Sequence, residues 1–345
     1  MANEFIIKHG FHSKGDSQIT GSLGITGIAN VSASLAAKAE GTILYENGTG
    51  TDSIKPVAGG NLASGACGNV GGGRQNKAIG DQSTVGGGEH NCACASTRGR
   101  SVVGGGYYNC ILNDSGHSVI AGGSINKICA NSSNYGYASI GGGASNFIDT
   151  GGNYSTIAGG RLNDAEGCTV FIGGGRGNTA SGNYSTIGGG CGNTTSECVS
   201  TIAGGKGNTA SNCYATIGGG LNNTILFKLS TISGGQLNKI CTTSCFGTIG
   251  GGYDNEIVTG SCHTIGGGKG NEIGSAVPSG MALNNLCAAT IAGGSSNCIN
   301  GCSIAGTIGG GQNNCVVGRF STIGGGSGNC ISGSGTQAIN RGTYS

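Results

Sequence analysis

The residues best suited to chemistry in this sequence are its 17 cysteines, because thiols form disulfides and bind soft metal ions. They are odd in number, spread along the chain and contain no C-x-x-C pair, so neither a zinc ribbon nor a disulfide framework is indicated. Several of them instead recur at the same position of a repeat, which predicts that they stack in neighbouring units. The stacked cysteines are Cys92 with Cys110, Cys198 with Cys213, and Cys298 with Cys315 and Cys330.

Stacking does not by itself imply a bond between these thiols. A Cα separation of about 4.8 Å lies within the range that disulfides accept, but the parallel Cβ vectors of stacked strands strain the bond. We therefore expect unbonded ladders of small apolar side chains, in keeping with assembly in a reducing cytoplasm. Disulfides between chains are the alternative.

The other reactive side chains do not form a recognisable site. The five histidines share no repeat position, which argues against a metal site or a Cys-His pair. Asp254 and Glu256 come nearest to an acid and base for glycan cleavage, yet their odd repeat positions place both on the outer surface. With 78 glycines and only 9% charged residues, the chain is also unlike an ordinary enzyme domain. The sequence predicts a non-enzymatic protein with no cofactor, no catalytic residue and no metal.

A repeat governs the chain from Val70 to Ile331. With its inward aliphatic residue as position 0, every copy has Gly at +2 and +3, Asn at +6 and a small or aliphatic residue at +8. Position +1 accepts Gly, Ala or Ser, and extra residues collect late in the copy. The sixteen copies begin at Val70, Val85, Val103, Ile120, Ile140, Ile157, Ile172, Ile187, Ile202, Ile217, Ile232, Ile249, Ile265, Ile291, Ile308 and Ile323.

The repeat predicts an all-β fold. Two short strands with period-two alternation, each closed by a turn, make one coil of a Gly-rich parallel β-solenoid, or β-roll. Sixteen coils with a period of about 15 residues would extend about 75 Å at the strand spacing. We assign residues 57–345 to this shaft and residues 1–56 to an N-terminal docking or capping segment. Typical ladder residues are Ile187, Gly189, Gly190 and Asn193, and their counterparts Ile202, Gly204, Gly205 and Asn208.

The invariant columns have physical roles. We expect a tight corner at +3, a close backbone approach at +2, and hydrogen bonds along the stacked asparagines. Each coil buries only about two aliphatic side chains, which is little to set against the entropy lost by ordering a Gly-rich coil. Burial of a further face against other copies would add to the core, so we expect a homo-oligomer.

The pattern S-x-I-x-G followed by N-x-A, seen in Ser185, Ile187, Gly189, Asn193 and Thr195, resembles the head repeat of trimeric autotransporter adhesins. The resemblance covers about three quarters of the chain and implies left-handed β-rolls packed side by side in a homotrimer. No signal peptide, coiled-coil stalk or membrane anchor is recognisable in the sequence, which disfavours an autotransporter.

The N-terminal segment NEFIIKHGFHSKGDSQITGSLGITG, with GTILYENGTGTDSIKP after it, resembles the starts of bacteriophage tail-fibre and related virion proteins. This resemblance implies a virion structural protein, made in the host cytoplasm, that docks on other tail proteins and carries a host-attachment surface. A plain capping role for the segment is equally open. The alternative is a secreted or cell-surface filament or adhesin, and a minor alternative is an ice-binding solenoid, suggested by the outward Thr column at position −1.

Charge and hydropathy limit the partners. A net charge of +2 without a basic face predicts no nucleic-acid partner, and the lack of an apolar run of about 20 residues predicts no membrane insertion. Loops on a rigid scaffold commonly carry binding, so the insertions are expected to contact a host glycan or protein, or to cover subunit seams. The candidate contact residues are Tyr135, Tyr137, Pro278, Met281 and Leu283.

Overall fold

The structure is a computed structural model. It describes residues 45–95, 99–112, 115–130, 136–243, 245–275, 288–300, 304–332 and 339–340. The chain divides into two compact units, residues 1–43 and 44–345, and all described residues belong to the second. Residues 1–44 of the expected docking segment therefore lie outside the described residues.

The described residues form a parallel β-solenoid of about 16 coils, as the repeat predicts, and they contain no helix. Each coil gives one short strand to each of two sheets. The first sheet contains β1 (Tyr45–Asn47), β2 (Ile54–Pro56), β4 (Asn69–Val70), β6 (Thr84–Val85), β8 (Val102–Val103), β10 (Val119–Ile120), β12 (Ser139–Ile140), β14 (Thr156–Ile157), β16 (Phe171–Ile172), β18 (Thr186–Ile187), β20 (Thr201–Ile202), β22 (Thr216–Ile217), β24 (Thr231–Ile232), β26 (Thr248–Ile249), β28 (Thr264–Ile265), β30 (Thr290–Ile291), β32 (Thr307–Ile308), β34 (Thr322–Ile323) and β36 (Ile339–Asn340).

The second sheet alternates with the first along the chain. It contains β3 (Leu62–Ala63), β5 (Lys77–Ala78), β7 (Cys92–Ala93), β9 (Cys110–Ile111), β11 (Lys127–Ile128), β13 (Phe147–Ile148), β15 (Asp164–Ala165), β17 (Thr179–Ala180), β19 (Thr194–Thr195), β21 (Thr209–Ala210), β23 (Thr224–Ile225), β25 (Lys239–Thr243), β27 (Glu256–Thr259), β29 (Glu272–Ser275), β31 (Cys298–Asn300), β33 (Cys315–Val316) and β35 (Cys330–Ile331).

Strands of successive coils pair in parallel and in register. Ile187, for example, lies between Ile172 and Ile202 of the neighbouring coils. The described sheets contain one antiparallel pair, β1 with β2. A third parallel ladder of single bridging residues runs at position +4 from Arg74 to Ser327. The repeat did not predict this ladder, because one paired residue per coil leaves no alternation to detect.

The core is a column of side chains enclosed by the coils. Position 0 and position +8 both point inward, as expected, and Ile187, Ile202 and Ala210 are fully buried. Polar residues also line the interior, since Ser185 at −2 and Thr195 at +8 are buried, and the Thr195 hydroxyl donates to Ser185 Oγ at 3.1 Å. This pair of interior hydroxyls is therefore satisfied internally, as burial requires.

The solenoid begins before the first recognisable repeat. Ile54 of β2 pairs in parallel with Asn69, and the Asn61 side chain accepts the backbone N–H of Asn76 at 3.0 Å. This coil carries Val57 and Ala58 in place of the usual glycines, which is why the repeat pattern misses it. The parallel ladder of the shaft thus starts inside the segment assigned to docking. Within the described part of the chain, no helix has the length and apolar character needed to cross a bilayer.

Candidate functional site

The asparagine column at +6 is the most fully hydrogen-bonded feature of the shaft. The Nδ2 group of Asn193 donates to the Gly189 carbonyl of its own coil at 2.9 Å and to the Gly205 carbonyl of the next coil at 3.1 Å. Its Oδ1 accepts the backbone N–H of Asn208 at 3.0 Å and the Nδ2 group of Asn208 at 3.2 Å. The amide uses both donor hydrogens and its acceptor, so the hydrogen bonds expected along this column are present.

The two invariant glycines differ from expectation. At +3, Gly205 has φ +89°, and a Cβ there would overlap the Gly220 carbonyl oxygen and lie 2.7 Å from Asn208 Nδ2. Gly190 repeats this arrangement with φ +93°. At +2, a Cβ on Gly189 or Gly204 would meet nothing within 4 Å. The close approach expected at +2 is therefore wrong, because the corner and the close approach both fall at +3. In eight of the sixteen repeats the +2 glycine has φ between +144° and +159°, as Gly189 does, which side chains rarely adopt; Gly204 is not among them, and nothing in the structure explains its glycine.

The strand register sets the predicted cysteines side by side. Cys315 pairs with Cys298 on one side and with Cys330 on the other, and Cys92 pairs with Cys110. Burial, with the neighbouring thiols, raises the pKa of Cys315 to about 11. A thiol of that pKa stays protonated at neutral pH and is a weak nucleophile.

One ladder contains a disulfide. Cys92 is bonded to Cys94, two residues further along the chain, with a Cα separation of 5.4 Å. Side chains two residues apart on a strand point the same way, so this pair is within disulfide range without a neighbouring coil. The bond lies within one coil, and Cys110, the stacked neighbour of Cys92, is a free thiol, so no disulfide joins these two stacked cysteines.

Cys198 and Cys213 meet a carboxylate that the sequence did not single out. The donor atoms of Glu197, Cys198 and Cys213 all lie within 4.8 Å of one another, and the Cys213 thiol lies 3.9 Å from Glu197 Oε2. Two sulfurs and a carboxylate are ligands that zinc accepts, but they leave its tetrahedral shell one ligand short. The sequence does not single out Glu197, because the same repeat position is not acidic in the other copies.

Of the candidate contact residues, Tyr137 is described, whereas Tyr135, Pro278, Met281 and Leu283 lie outside the described residues. Tyr137 is 44% exposed at position −3. Its ring stacks between His117, at a centroid distance of 4.9 Å, and Tyr154, at 5.4 Å. Three successive coils therefore present a stack of aromatic rings at one edge of the solenoid.

Of the acidic pair considered for glycan cleavage, Glu256 is poorly suited to act as a general acid. Burial acts to raise the pKa of Glu256, but hydrogen bonds from Lys239 Nζ at 2.8 Å and Cys241 Sγ at 3.0 Å outweigh it. The pKa of Glu256 lies below its ordinary value, and the carboxylate stays ionised at neutral pH. Asp254 occupies a turn position with φ +57°. A general acid would need a raised pKa instead.

His263 is a buried titratable group that the sequence does not single out. It takes the place of serine at −2, is 1% exposed, and its Nδ1 accepts the backbone N–H of Ala289 at 3.1 Å. Its Nε2 has no hydrogen-bond partner among the described residues. Burial lowers the pKa of His263 to about 4, and the backbone of Thr259 opposes this effect only in part.

This histidine predicts a loss of stability in acid. Unfolded His263 binds a proton below pH 6.5 and the folded form only near pH 4, so protons favour the unfolded state between these values. The free energy of unfolding should fall by about 3 kcal/mol more in the wild type than in His263→Ser between pH 7 and pH 4. Serine is the usual residue at −2, so the variant keeps the column. Urea unfolding of both proteins at the two pH values checks this, and parallel pH profiles would show that His263 does not titrate in this way.

Comparison with known proteins found no match. The sequence matches no protein-family model and no curated protein.

Proposed function

We propose that this protein is a structural, non-enzymatic fibre of a phage tail or related particle, whose solenoid shaft holds a host-attachment surface away from that particle. The observation that carries the proposal is the continuity of the shaft. Two sheets, the bridging ladder and the asparagine column each link neighbouring coils from Asn76 to Asn329. A β-solenoid is a repeat fold typical of non-enzymes.

This architecture suits a mechanical role. Each coil contacts only its neighbours, so length grows with repeat number while the cross-section stays constant. Most strand and bridging residues of the interior coils pair their backbone N–H and C=O groups with neighbouring coils, which leaves few open edges for proteases or for aggregation. A rigid rod of about 75 Å would follow from sixteen coils at the strand spacing.

Several parts of the proposal rest on the resemblances in the sequence. The resemblance to trimeric adhesin heads supports a homotrimer, and the thin core supports association with other copies. The N-terminal segment would dock on other virion proteins, and a host glycan or protein would be the distal partner. A secreted or cell-surface filament or adhesin is the competing function.

The mass in solution tests this proposal. We expect a mass of three chains, or a multiple of three, each of 33.4 kDa, by multi-angle light scattering, unchanged when reductant is added. Negative-stain electron microscopy should show straight rods of uniform width. Antibody to the shaft should label the tail of intact particles. A single-chain mass would contradict the trimer, and open-ended polymers would favour the filament.

A further inference from the structure

A row of bulky side chains occupies an unusual backbone conformation at one edge of the shaft. In seven successive coils the residue at −3 has φ between +55° and +59°. We call this row the ridge. It consists of Tyr154, Thr169, Tyr184, Val199, Tyr214, Leu229 and Phe246.

The solenoid imposes this conformation. The backbone N–H of Tyr184 donates to the Cys168 carbonyl of the preceding coil at 2.8 Å, and that of Val199 donates to the Asn183 carbonyl at 2.9 Å. Six of the seven ridge residues, from Tyr154 to Leu229, donate their N–H to the coil before them, and the left-handed φ accompanies that bond. Glycine, asparagine and aspartate adopt this region most easily, whereas bulky and β-branched residues such as Val199 are outliers there.

A second column of the same molecule, with the same backbone conformation, serves as a control for the residue types found at −3. Position +5 also has a left-handed φ in all sixteen repeats, and eight of its residues are Gly, Asn or Asp. At −3 none of the sixteen residues is Gly, Asn or Asp. Backbone preference therefore accounts for half of the residues at +5 and for none of those at −3. The eight residues at +5 are Gly177, Gly192, Gly207, Asn222, Asp254, Gly270, Asn313 and Gly328.

The ridge is open to solvent and apolar. Its aromatic members, Tyr154, Tyr184, Tyr214 and Phe246, are 50% to 62% exposed, and none of the seven side chains carries a charge. A contiguous exposed apolar surface of this kind marks an interaction site in a soluble protein. Strained residues that persist against local preference commonly cluster at such sites.

The ridge has a regular spacing. Aromatic residues alternate with Thr169, Val199 and Leu229, so successive rings are two coils, or about 10 Å, apart. In the same column, rings in adjacent coils stack at 4.9 Å between His117 and Tyr137, and at 5.4 Å between Tyr137 and the ridge residue Tyr154. One planar ring inserted between two ridge rings would lie about 5 Å from each, within the range of aromatic stacking.

We propose that the ridge is a self-association surface, on which the aromatic rings of a second copy fill the gaps between those of the first. The occupant follows from the spacing. Its rings must recur at two-coil intervals over several gaps, and a second shaft has this interval because the same backbone ladder sets it. The contact pairs two shafts, so it is independent of a role in a virion and adds to any trimer.

Three substitutions test the proposal in the full-length protein: Tyr184→Asn, Tyr214→Asn and Phe246→Asn, combined. Asparagine suits the left-handed backbone. The unfolding temperature of the variant should therefore be no lower than that of the wild type, measured at a dilution at which the wild-type shafts are separate. The mass of the variant by multi-angle light scattering should fall to half that of the wild type or less. The matched control is Phe171→Thr, which removes a 43% exposed ring from a strand position where threonine is the usual residue. This control should leave the mass unchanged.

The outcomes separate this inference from the proposed function. A change from a larger multiple of three chains to three supports both, and a change from two chains to one supports the ridge while contradicting the trimer. A wild-type trimer that the triple variant leaves intact supports the fibre and overturns the ridge. A wild type that is a single chain at all concentrations also overturns the ridge. If the asparagine variant does not fold, the same three positions changed to glycine provide a second route to the same comparison.

Discussion

Gly205→Ala should destabilise the solenoid by about 3 to 5 kcal/mol, whereas Gly204→Ala should change the free energy of unfolding by no more than about 0.5 kcal/mol. Both glycines are invariant in the repeat, so the sequence gives no reason to separate them. The structure does. A Cβ on Gly205 overlaps the Gly220 carbonyl oxygen and lies 2.7 Å from Asn208 Nδ2, whereas a Cβ on Gly204 meets nothing within 4 Å.

The large effect has two physical sources. Alanine is strained at φ +89°, which costs about 1 to 3 kcal/mol. Moving the Gly220 carbonyl or the Asn208 amide to make room breaks hydrogen bonds of the ladder, each worth about 1 kcal/mol and more when the buried group is left unpaired. Both neighbours belong to the buried framework, so neither can rotate away as an exposed side chain would.

Urea unfolding followed by circular dichroism measures this difference. Because a repeat array need not unfold in a single step, hydrogen exchange of the amides in 187–220 should be measured as well. We expect faster exchange in these coils for Gly205→Ala and wild-type exchange for Gly204→Ala. Equal destabilisation by the two substitutions would show that +2 is also constrained, by a contact outside the isolated chain.

The repeated sequence pattern predicts the positions whose side chains face the core, and it does not predict the bridging ladder. Positions 0 and +8 were predictable because an inward side chain must be apolar or small in every coil, as Ile187 and Ala210 are. The bridging ladder was not predictable, since it places a single residue per coil on the surface and tolerates Arg74, Tyr107 and Cys191 alike.

The repeat pattern does not predict the backbone conformation at every position. A left-handed φ is normally inferred from Gly or Asn, and position +5 follows that rule in half of the repeats. The ridge breaks it, so the sequence does not single out residues such as Tyr184 and Val199. The burial of His263 was missed for a similar reason, because one histidine replaces the usual serine in a column whose other members are small residues and one valine, Val170.

Asn223→Asp should destabilise the solenoid by about 4 kcal/mol at pH 7, whereas Asn222→Asp, one residue earlier, should have an effect of less than about 0.5 kcal/mol. Asn223 is fully buried, and its Nδ2 donates to the carbonyls of Gly219 and Gly235, both at 2.9 Å. An aspartate there has no hydrogen to donate, so its carboxylate would face two carbonyl oxygens without a counter-ion. Asn222 is exposed and has φ +54°, a region that aspartate tolerates.

The loss of unfolding free energy caused by Asn223→Asp should be smaller at acidic pH. Burial against carbonyl oxygens raises the folded pKa of the new carboxyl above its unfolded value near 3.9, so the folded state binds the proton first. Stability relative to the wild type is then greatest below pH 4 and is lost as pH rises through the folded pKa. The protonated acid donates one hydrogen bond in place of two, so recovery is partial. Urea unfolding from pH 3.5 to 7 measures this, and a deficit that does not change with pH would indicate that water reaches the carboxylate, which would mean that the column opens at this coil.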